Sequence, residues 1–310
     1  MKTEPRFYTN KAGTNVHYFE SLEEFLPHVS YESVKAAYDK FGDSWRVELG
    51  KWDNPRDSDT RWAGGLTQHA AYKLAKEGMS MDAEALEIRD TINTAVKPML
   101  GDMFTWDVTG SMVDVGAFLS GEPECMLTTR EDVTRARKVV NIVYNVCVSA
   151  NVDAKTIRLR GLAMMALVDS LESTHRFRVN LYFACASGMS RNSDDANGAL
   201  VVRLLDPSHR YDPQAVGFAL THPCMFRRCC FNYWNTLSRE HADIWGVDNW
   251  GYGYPATLRK LPEEIEDSES FAATECLHSG VQNMYEVHDM PSAIKWVKTQ
   301  MARLVDGDLM

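Results

Sequence analysis

The sequence has no uncharged apolar run approaching the roughly 20 residues that a membrane-spanning helix needs. Its first residues, MKTEPRFYTNK, lack the apolar core of a secretion signal. Positive charge is also scarce, with 33 Lys and Arg against 43 Asp and Glu and a formal net charge of −10. Phosphate backbones and anionic lipids are bound by clustered cations, so this balance argues against duplex nucleic acid and membranes as partners. We therefore expect a cytoplasmic protein.

The familiar signatures of catalysis are missing as well. The chain contains no phosphate-binding loop, no dinucleotide-binding glycine pattern and no G-x-S-x-G nucleophile elbow. Its seven cysteines are an odd, scattered set, which favours reduced core thiols over a disulfide framework. The segment HPCMFRRCC brings a histidine and three cysteines together, but without the paired spacing of zinc ligands. We predict no catalytic residue, no metal and no cofactor from these patterns.

The second part of the chain, residues 126–310, alternates between strands and helices. Continuous apolar runs predict strands, and longer periodic runs with Pro or Asp at their start predict helices. The predicted strands are 139–146, 178–186 and 199–205, and the predicted helices are 156–173, 213–221, 223–237 and 291–304. This order is typical of an α/β, Rossmann-like sheet sandwiched by helices. The turn-rich loop between the last two strands predicts a hairpin at the sheet edge, and Gly161 predicts a close approach of helix and sheet.

The first part, residues 1–125, is predicted to be mainly helical. Ser21 and Glu24 have the spacing of a capping box, and apolar spacing indicates helices at 33–40, 67–77 and 82–97. A loop rich in Pro, Asp and Gly follows the helix predicted at 33–40 and carries three tryptophans, including Trp52 and Trp62. Two interpretations stay open for this loop: a binding surface, or a loop that its tryptophans fasten to the domain.

One segment resembles a known type of metal-binding domain. Strand 139–146, the loop after it and the apolar helix 156–173 resemble the start of a von Willebrand factor A domain, in which a D-x-S-x-S loop holds a divalent cation. The matching positions here are Asn145, Cys147 and Ser149, and a soft sulfur is a poor ligand for Mg²⁺. The resemblance implies this fold without its metal. A second match, Asp107 to Ser111, has no apolar strand before it and is interpreted as chance.

Four further segments are similar to an uncharacterised family of tailed-bacteriophage and prophage proteins. They are YFESLEEFL, WDVTGSMVDVGAFLSGEPECM, VSANVDAKTIRLRGLAMMALVDSLE and GFALTHPCMFRR. The similarity implies a phage origin, and with it a place in the host cytoplasm or on the virion. It implies no mechanism.

The leading hypothesis is a phage-encoded protein-binding or assembly module, with a phage or host protein as its partner. Loops at the carboxyl ends of strands carry the binding sites of open α/β sheets. If the third strand runs parallel to the first, this edge carries the predicted binding residues Asn145, Ser149, Asn151, Asp153, Asp206 and His209. The alternative is a nucleic-acid-associated or hydrolytic phage enzyme whose site forms only in three dimensions. Within it, Arg227 and Arg228 with nearby aromatics are candidate contacts for single-stranded nucleic acid.

Overall fold

A computed structural model describes the fold over most of the chain. The residues that it describes are 5–10, 13–41, 52, 57–96, 104–109, 112–113, 115–129, 138–173, 177–189, 196–209, 211–248, 251–256, 258, 275–279, 284 and 286–307. Trp45 of the tryptophan loop and Ser111 of the second D-x-S-x-S-like match lie outside these residues.

The described strands and helices alternate in the second part of the chain, as predicted. In chain order the strands are β1 (Arg6–Thr9), β2 (Asn15–Phe19), β3 (Phe104–Asp107), β4 (Met112–Val113), β5 (Met126–Thr129), β6 (Lys138–Asn145), β7 (Phe177–Gly188), β8 (Gly198–Leu205), β9 (Val247–Asp248), β10 (Gly251–Tyr252), β11 (Tyr254–Pro255) and β12 (Glu275–Ser279). The α-helices are α1 (Leu22–Phe25), α2 (Tyr31–Phe41), α3 (Asp57–Trp62), α4 (Gln68–Glu77), α5 (Ala83–Val96), α6 (Val115–Ser120), α7 (Ala154–Ser173), α8 (Pro213–Thr221), α9 (Phe231–Thr236), α10 (Arg239–Trp245) and α11 (Met290–Gly307).

The main sheet is mixed and has the strand order β1-β2-β8-β7-β6-β12, with β11 pairing the end of β7. Strands β12, β6 and β7 are parallel, and β8 runs antiparallel to β7. The predicted hairpin of the second and third strands is therefore confirmed, but its predicted place at the sheet edge is wrong. Strand β2 pairs β8 in parallel, with Asn15 opposite Gly198. The first part of the chain thus supplies two strands to the sheet of the second part.

Helices cover one face of this sheet. The main buried cluster joins β6 and β7 to α4, α5, α7, α8, α9 and α11. Helix α7 is central to it, and its residues from Gly161 to Val168 are all buried. The second buried cluster, on the other face, includes Tyr18, Val143 and Tyr182, and none of its described members belongs to a helix. The prediction of an α/β sheet flanked by helices is thus confirmed, but among the described residues the helices pack on one face and do not form the predicted sandwich.

Local sequence signals account for the helix boundaries. The Ser21 hydroxyl accepts from the Glu24 backbone N–H at 3.1 Å, as the capping box predicts. Helix α4 agrees with the helix predicted at 67–77: Gly78 ends it, as predicted, and Thr67 is its N-cap. The predicted helix 223–237 differs, because a π-helix from Met225 to Cys230 precedes α9. The extra residue per turn of a π-helix changes which side chains share a face.

Gly161 does mark a close approach, although its partner is a helix and not the sheet. A Cβ at this position would lie 2.0 Å from the carbonyl oxygen of Leu220 in α8. Only glycine allows α7 and α8 to pack at this separation. No helix in the described part of the chain is long and apolar enough to cross a bilayer.

Candidate functional site

Residues 146–153 form the loop after the interior strand β6, and we call it the rim loop. It lies at one end of the strands of the sheet, where β6 has its carboxyl end. Its side chains divide into two groups. Val146, Cys147 and Val148 are buried, whereas Ser149 and Asn151 are exposed. Asp153 is also exposed, and its carboxylate accepts from the Thr156 backbone N–H at 2.6 Å, which caps α7. The rim loop therefore presents three polar side chains from an apolar base.

Asn145 lies beneath the rim loop and not on its surface. Its Nδ2 donates to the carbonyl oxygen of Ala256 at 2.9 Å, and its Oδ1 accepts from the backbone N–H groups of Cys147 at 3.1 Å and Ala186 at 3.4 Å. The side chain is 3% exposed. Both ends of the amide are thus engaged with backbone, so this predicted binding residue supports the loop from within the protein.

Two side chains from distant parts of the sequence hold the rim-loop backbone. Trp62 Nε1 donates to the carbonyl oxygen of Ala150 at 3.0 Å. The Arg227 guanidinium donates to the carbonyl oxygens of Trp62, at 2.6 Å, and of Val152. Arg227 Cζ also lies 4.4 Å from the centroid of the Trp62 ring, within range of a cation–π interaction. Trp62 and Arg227 therefore join the end of α3 to the rim loop.

Arg227 is an interior residue, which contradicts its interpretation as a nucleic-acid contact. Only 2% of it is exposed, and burial lowers its pKa to about 10. The neighbouring Arg228 is also buried, at 7% exposure. Cys229 and Cys230 lie in the core, as expected, and burial raises the pKa of both thiols. Sequence reasoning missed the role of Arg227 because two consecutive arginines resemble a surface patch.

The structure separates Asp206 and His209 from the rim loop. They follow β8, which runs antiparallel to β7 and β6, so they lie at the opposite end of the strands from the rim loop. There, the Asp206 carboxylate pairs with Arg203 Nη2 at 2.6 Å and accepts from the Ser208 backbone N–H at 2.8 Å. Asp206 and His209 are consequently not part of one site with Ser149, Asn151 and Asp153.

A groove of about 1390 Å³ lies beside the rim loop. The first turns of three helices, α5, α7 and α11, line it together with Gly64, Thr221, His222 and Pro223. Each of these helices begins with an aspartate whose carboxylate accepts a first-turn backbone N–H. These aspartates are Asp82 at 2.8 Å from the Ala85 nitrogen, Asp153, and Asp289 at 2.9 Å from the Ser292 nitrogen. These backbone hydrogen bonds are the largest cause of the lowered pKa of the Asp82 and Asp153 carboxyls, whereas at Asp289 the Ser292 hydroxyl lowers the pKa most, followed by the Ser292 backbone N–H. All three carboxyls are therefore ionised at neutral pH.

His222 forms part of the wall of the groove as a neutral imidazole. Burial, followed by the charge of Arg158, lowers its pKa to about 4. Its Nδ1 accepts from the Cys224 backbone N–H at 3.1 Å, and its ring stacks on Phe218 with centroids 5.1 Å apart. These contacts fix the ring in place. His222 therefore presents a rigid, uncharged surface to the groove near pH 7.

The described residues of the rim loop and the groove do not form a metal site. Within the described part of the chain, no three His, Cys, Asp or Glu side chains are arranged to hold a metal ion. Cys147, at a position where the von Willebrand A pattern has a hydroxyl, is 2% exposed, and burial raises the pKa of its thiol. It is therefore a core thiol and not a thiolate ligand.

The sequence model of one protein family matches residues 8–295, a span that includes the rim loop, Trp62, Arg227 and all the residues that line the groove. Its description is Domain of unknown function (DUF7192). The chain belongs to this family. Neither the curated proteins nor the solved structures contain a match to the chain. The DUF7192 match begins in β1 and ends in α11, so it runs across the predicted domain boundary between residues 125 and 126.

Proposed function

We propose that this DUF7192 protein is a protein-binding or assembly module built on a metal-free, von Willebrand A-like sheet, with the rim loop as its binding face. The observation that carries the proposal is the anchoring of this loop. Trp62 and Arg227 bind the backbone at Ala150 and Val152. Asn151 lies between these two anchored positions and Ser149 precedes them, and both side chains are exposed.

A loop held in this way suits recognition. Ordering a flexible loop costs free energy when a partner binds, and a loop already fixed in the free protein avoids most of that cost. Both anchors act on backbone carbonyl groups, so they leave the exposed side chains available for contact. The rim loop therefore combines a fixed backbone with accessible polar groups.

The position of the rim loop also supports the proposal. It follows β6, which has the parallel strands β7 on one side and β12 on the other. The chain leaves β6 through α7 towards β7, so the rim loop lies at the carboxyl ends of three neighbouring parallel strands. Open α/β sheets bind their ligands in the crevice outside the carboxyl ends of their strands.

The metal-free part of the proposal rests on Asn145 and Cys147. The Asn145 Oδ1 atom already accepts two backbone N–H groups. The Cys147 thiol is buried and is a soft ligand, which pairs poorly with a hard cation. Ser149 alone offers an exposed hard oxygen of the family type. One hydroxyl is not sufficient for Mg²⁺ or Ca²⁺, which take six or more oxygen ligands.

The phage origin is part of the proposal and is supported by the four sequence segments that resemble phage and prophage proteins. It implies a phage or host protein as the partner, in the host cytoplasm or on the virion. Affinity capture of the tagged chain from infected cells, with mass spectrometry of the captured proteins, tests this part. Recovery of the same partner from uninfected cells at equal yield would argue against a partner encoded by the phage.

The binding face is tested by two double variants. Ser149→Arg with Asn151→Arg adds bulk and charge to the rim loop. Ser208→Arg with His209→Arg adds the same bulk and charge at the opposite end of the strands. All four positions are exposed, so both variants should keep the melting temperature of the parent. We expect the partner to be lost from the first variant and retained by the second. Equal retention by both variants excludes the rim loop as the binding face.

A further inference from the structure

The groove beside the rim loop has an apolar floor that is open to solvent. Its half-buried side chains pack against the main core below and face the groove above; they are Leu74, Met79, Met81, Ile88, Met290 and Ile294. Three of the six are methionines, whose unbranched thioether chains adapt to different apolar partners. An accessible apolar floor of this kind is a feature of binding grooves.

The size of the groove indicates a polymer segment. Pockets that hold one small organic ligand have volumes of about 300–1,000 Å³. The groove, at about 1390 Å³, exceeds this range. Its floor includes side chains from α4, α5, α11 and the residues between α4 and α5, so it spans several helices. A helical segment laid into an apolar groove makes contacts of this type through residues spaced by three and four.

The charge of the groove sets the chemistry of that segment. Two cations, Lys155 and Arg158, lie among five carboxylates, which are Asp82, Glu84, Glu87, Asp153 and Asp289. Arg158 is itself engaged, because it pairs with Asp82 and lies 3.6 Å from Glu84. The groove is therefore acidic, and it complements a partner with Lys or Arg beside its apolar residues.

Helix N-termini usually favour anions, and three of them meet here. At this groove the aspartates Asp82, Asp153 and Asp289 already accept first-turn backbone N–H groups. Their negative charge faces any further anion. A phosphate or an acidic peptide would therefore meet occupied amides and like charge, which leaves a basic segment as the complementary ligand.

We propose that the groove binds an amphipathic, basic helical segment of a partner protein. Its apolar residues contact the floor around Met81, Ile88 and Ile294, and its cations face the carboxylates at the edge. This inference rests on the proposed function, because it takes the partner to be a protein. It extends the binding face from the rim loop onto the helix layer through Asp153, which belongs to both.

The test uses two synthetic peptides of about 18 residues, long enough for about five helical turns. Both carry the same Leu and Phe face, and one has Lys and the other Glu on the remaining face. Fluorescence polarisation measures their binding to the full chain at low salt. We expect the Lys peptide to bind at least about tenfold more tightly, with a loss of affinity as salt screens the carboxylates. Equal affinities, or no binding by either peptide, would overturn the proposal.

A matched pair of variants shows whether the groove is responsible. Glu84→Lys with Glu87→Lys changes the groove, whereas Glu122→Lys with Glu124→Lys makes the same change of net charge elsewhere; all four glutamates are exposed. The groove variant should weaken the Lys peptide by about tenfold or more and favour the Glu peptide, and the control should not. A control that shifts as far as the groove variant means general attraction to an acidic protein and overturns the proposal.

Capture of the natural partner separates this proposal from the one on which it rests. If the groove variant keeps the partner and the Ser149→Arg, Asn151→Arg variant loses it, the groove proposal fails and the rim-loop function stands. If both variants keep the partner, the rim-loop function fails as well. Loss of the partner from both variants supports a continuous binding face.

Discussion

Arg227 lies over the ring of Trp62, with its guanidinium carbon 4.4 Å from the ring centroid, although 165 residues separate the two in sequence. The same guanidinium donates to the backbone carbonyls of Trp62 and Val152. This one side chain therefore joins the end of α3 to the rim loop. The contact is interior, so its first effect is on the stability and order of the candidate site.

Replacement of Arg227 should destabilise the protein far more than replacement of its neighbour. Arg227→Met removes two charge-assisted hydrogen bonds and the cation–π contact, at a cost of about 2–4 kcal/mol in the free energy of unfolding. Arg228 is the matched control, because its Nε and Nη2 are buried without a hydrogen-bond partner in the described part of the chain. Removal of such an under-satisfied buried charge is often neutral or stabilising. Urea denaturation of Arg227→Met and Arg228→Met measures the difference.

Hydrogen–deuterium exchange provides a second readout for the same pair. Backbone amides of the rim loop should exchange faster in Arg227→Met and at the parent rate in Arg228→Met. Unchanged exchange in both variants would mean that Arg227 does not order this loop.

The contact between α7 and α8 predicts opposite effects for two glycine substitutions. Gly161→Ala would place Cβ 2.0 Å from the Leu220 carbonyl oxygen, and such overpacking costs about 1–3 kcal/mol or more. At Gly217, in α8, the nearest atom would be the Met79 carbonyl oxygen at 3.5 Å, an ordinary contact. Gly217→Ala should therefore gain up to about 1 kcal/mol of helix propensity. Equal urea midpoints for the two variants would contradict the observed packing.

Buried His17 should make the protein sensitive to mild acid. Burial, with a smaller effect from His241, lowers the pKa of His17 to about 2, and its Nδ1 lies 2.8 Å from the Tyr233 hydroxyl. The folded protein keeps a neutral imidazole, whereas the unfolded chain takes up a proton below about pH 6.5. The free energy of unfolding therefore falls as pH decreases from about 6.5, by about 1.4 kcal/mol per unit for this one group. His222, whose pKa is lowered to about 4, adds to the slope above pH 4.

Substitution isolates the contribution of His17. His17→Phe should reduce the pH slope of stability by about one proton between pH 6 and pH 4.5. The slope is the measured quantity, so a general loss of stability in His17→Phe does not affect the conclusion. An unaltered slope in His17→Phe would show that this imidazole is protonated in the folded protein.

Divalent cations should not change the stability of the chain. Both ends of the Asn145 amide form hydrogen bonds with backbone groups, and the Cys147 thiol is buried. Thermal melts in EDTA and in millimolar Mg²⁺ should therefore coincide. A ligand that binds the folded state must raise its stability, so a midpoint several degrees higher with Mg²⁺ would contradict a metal-free site.

Local signals in the sequence were sufficient for much of the fold. Apolar spacing and the capping residue Asp153 predicted α7 to within two residues at its start, and apolar spacing with Gly78 predicted both ends of α4. Such boundaries depend on neighbouring residues alone. The parallel pairing of β2 with β8 depends on segments more than 180 residues apart, and no local pattern encodes it.

The candidate site was predicted only in part for the same reason. Ser149, Asn151 and Asp153 follow one strand, so their proximity could be inferred. The placement of Asp206 and His209 depended on the direction of β8, which sequence alone left open. The groove is formed by three helices far apart in the chain. Three aspartates mark where those helices begin, but nothing local indicates that their first turns meet.

The most direct test of the central claim is hydrogen–deuterium exchange on the purified chain with and without its captured partner. The account predicts that binding slows amide exchange in the rim loop, around Ser149 and Asn151. Amide exchange around Ser208 and His209, at the opposite end of the strands, should stay unchanged. Protection around Ser208 and His209 with no change in the rim loop would contradict the proposal that this loop is the binding face.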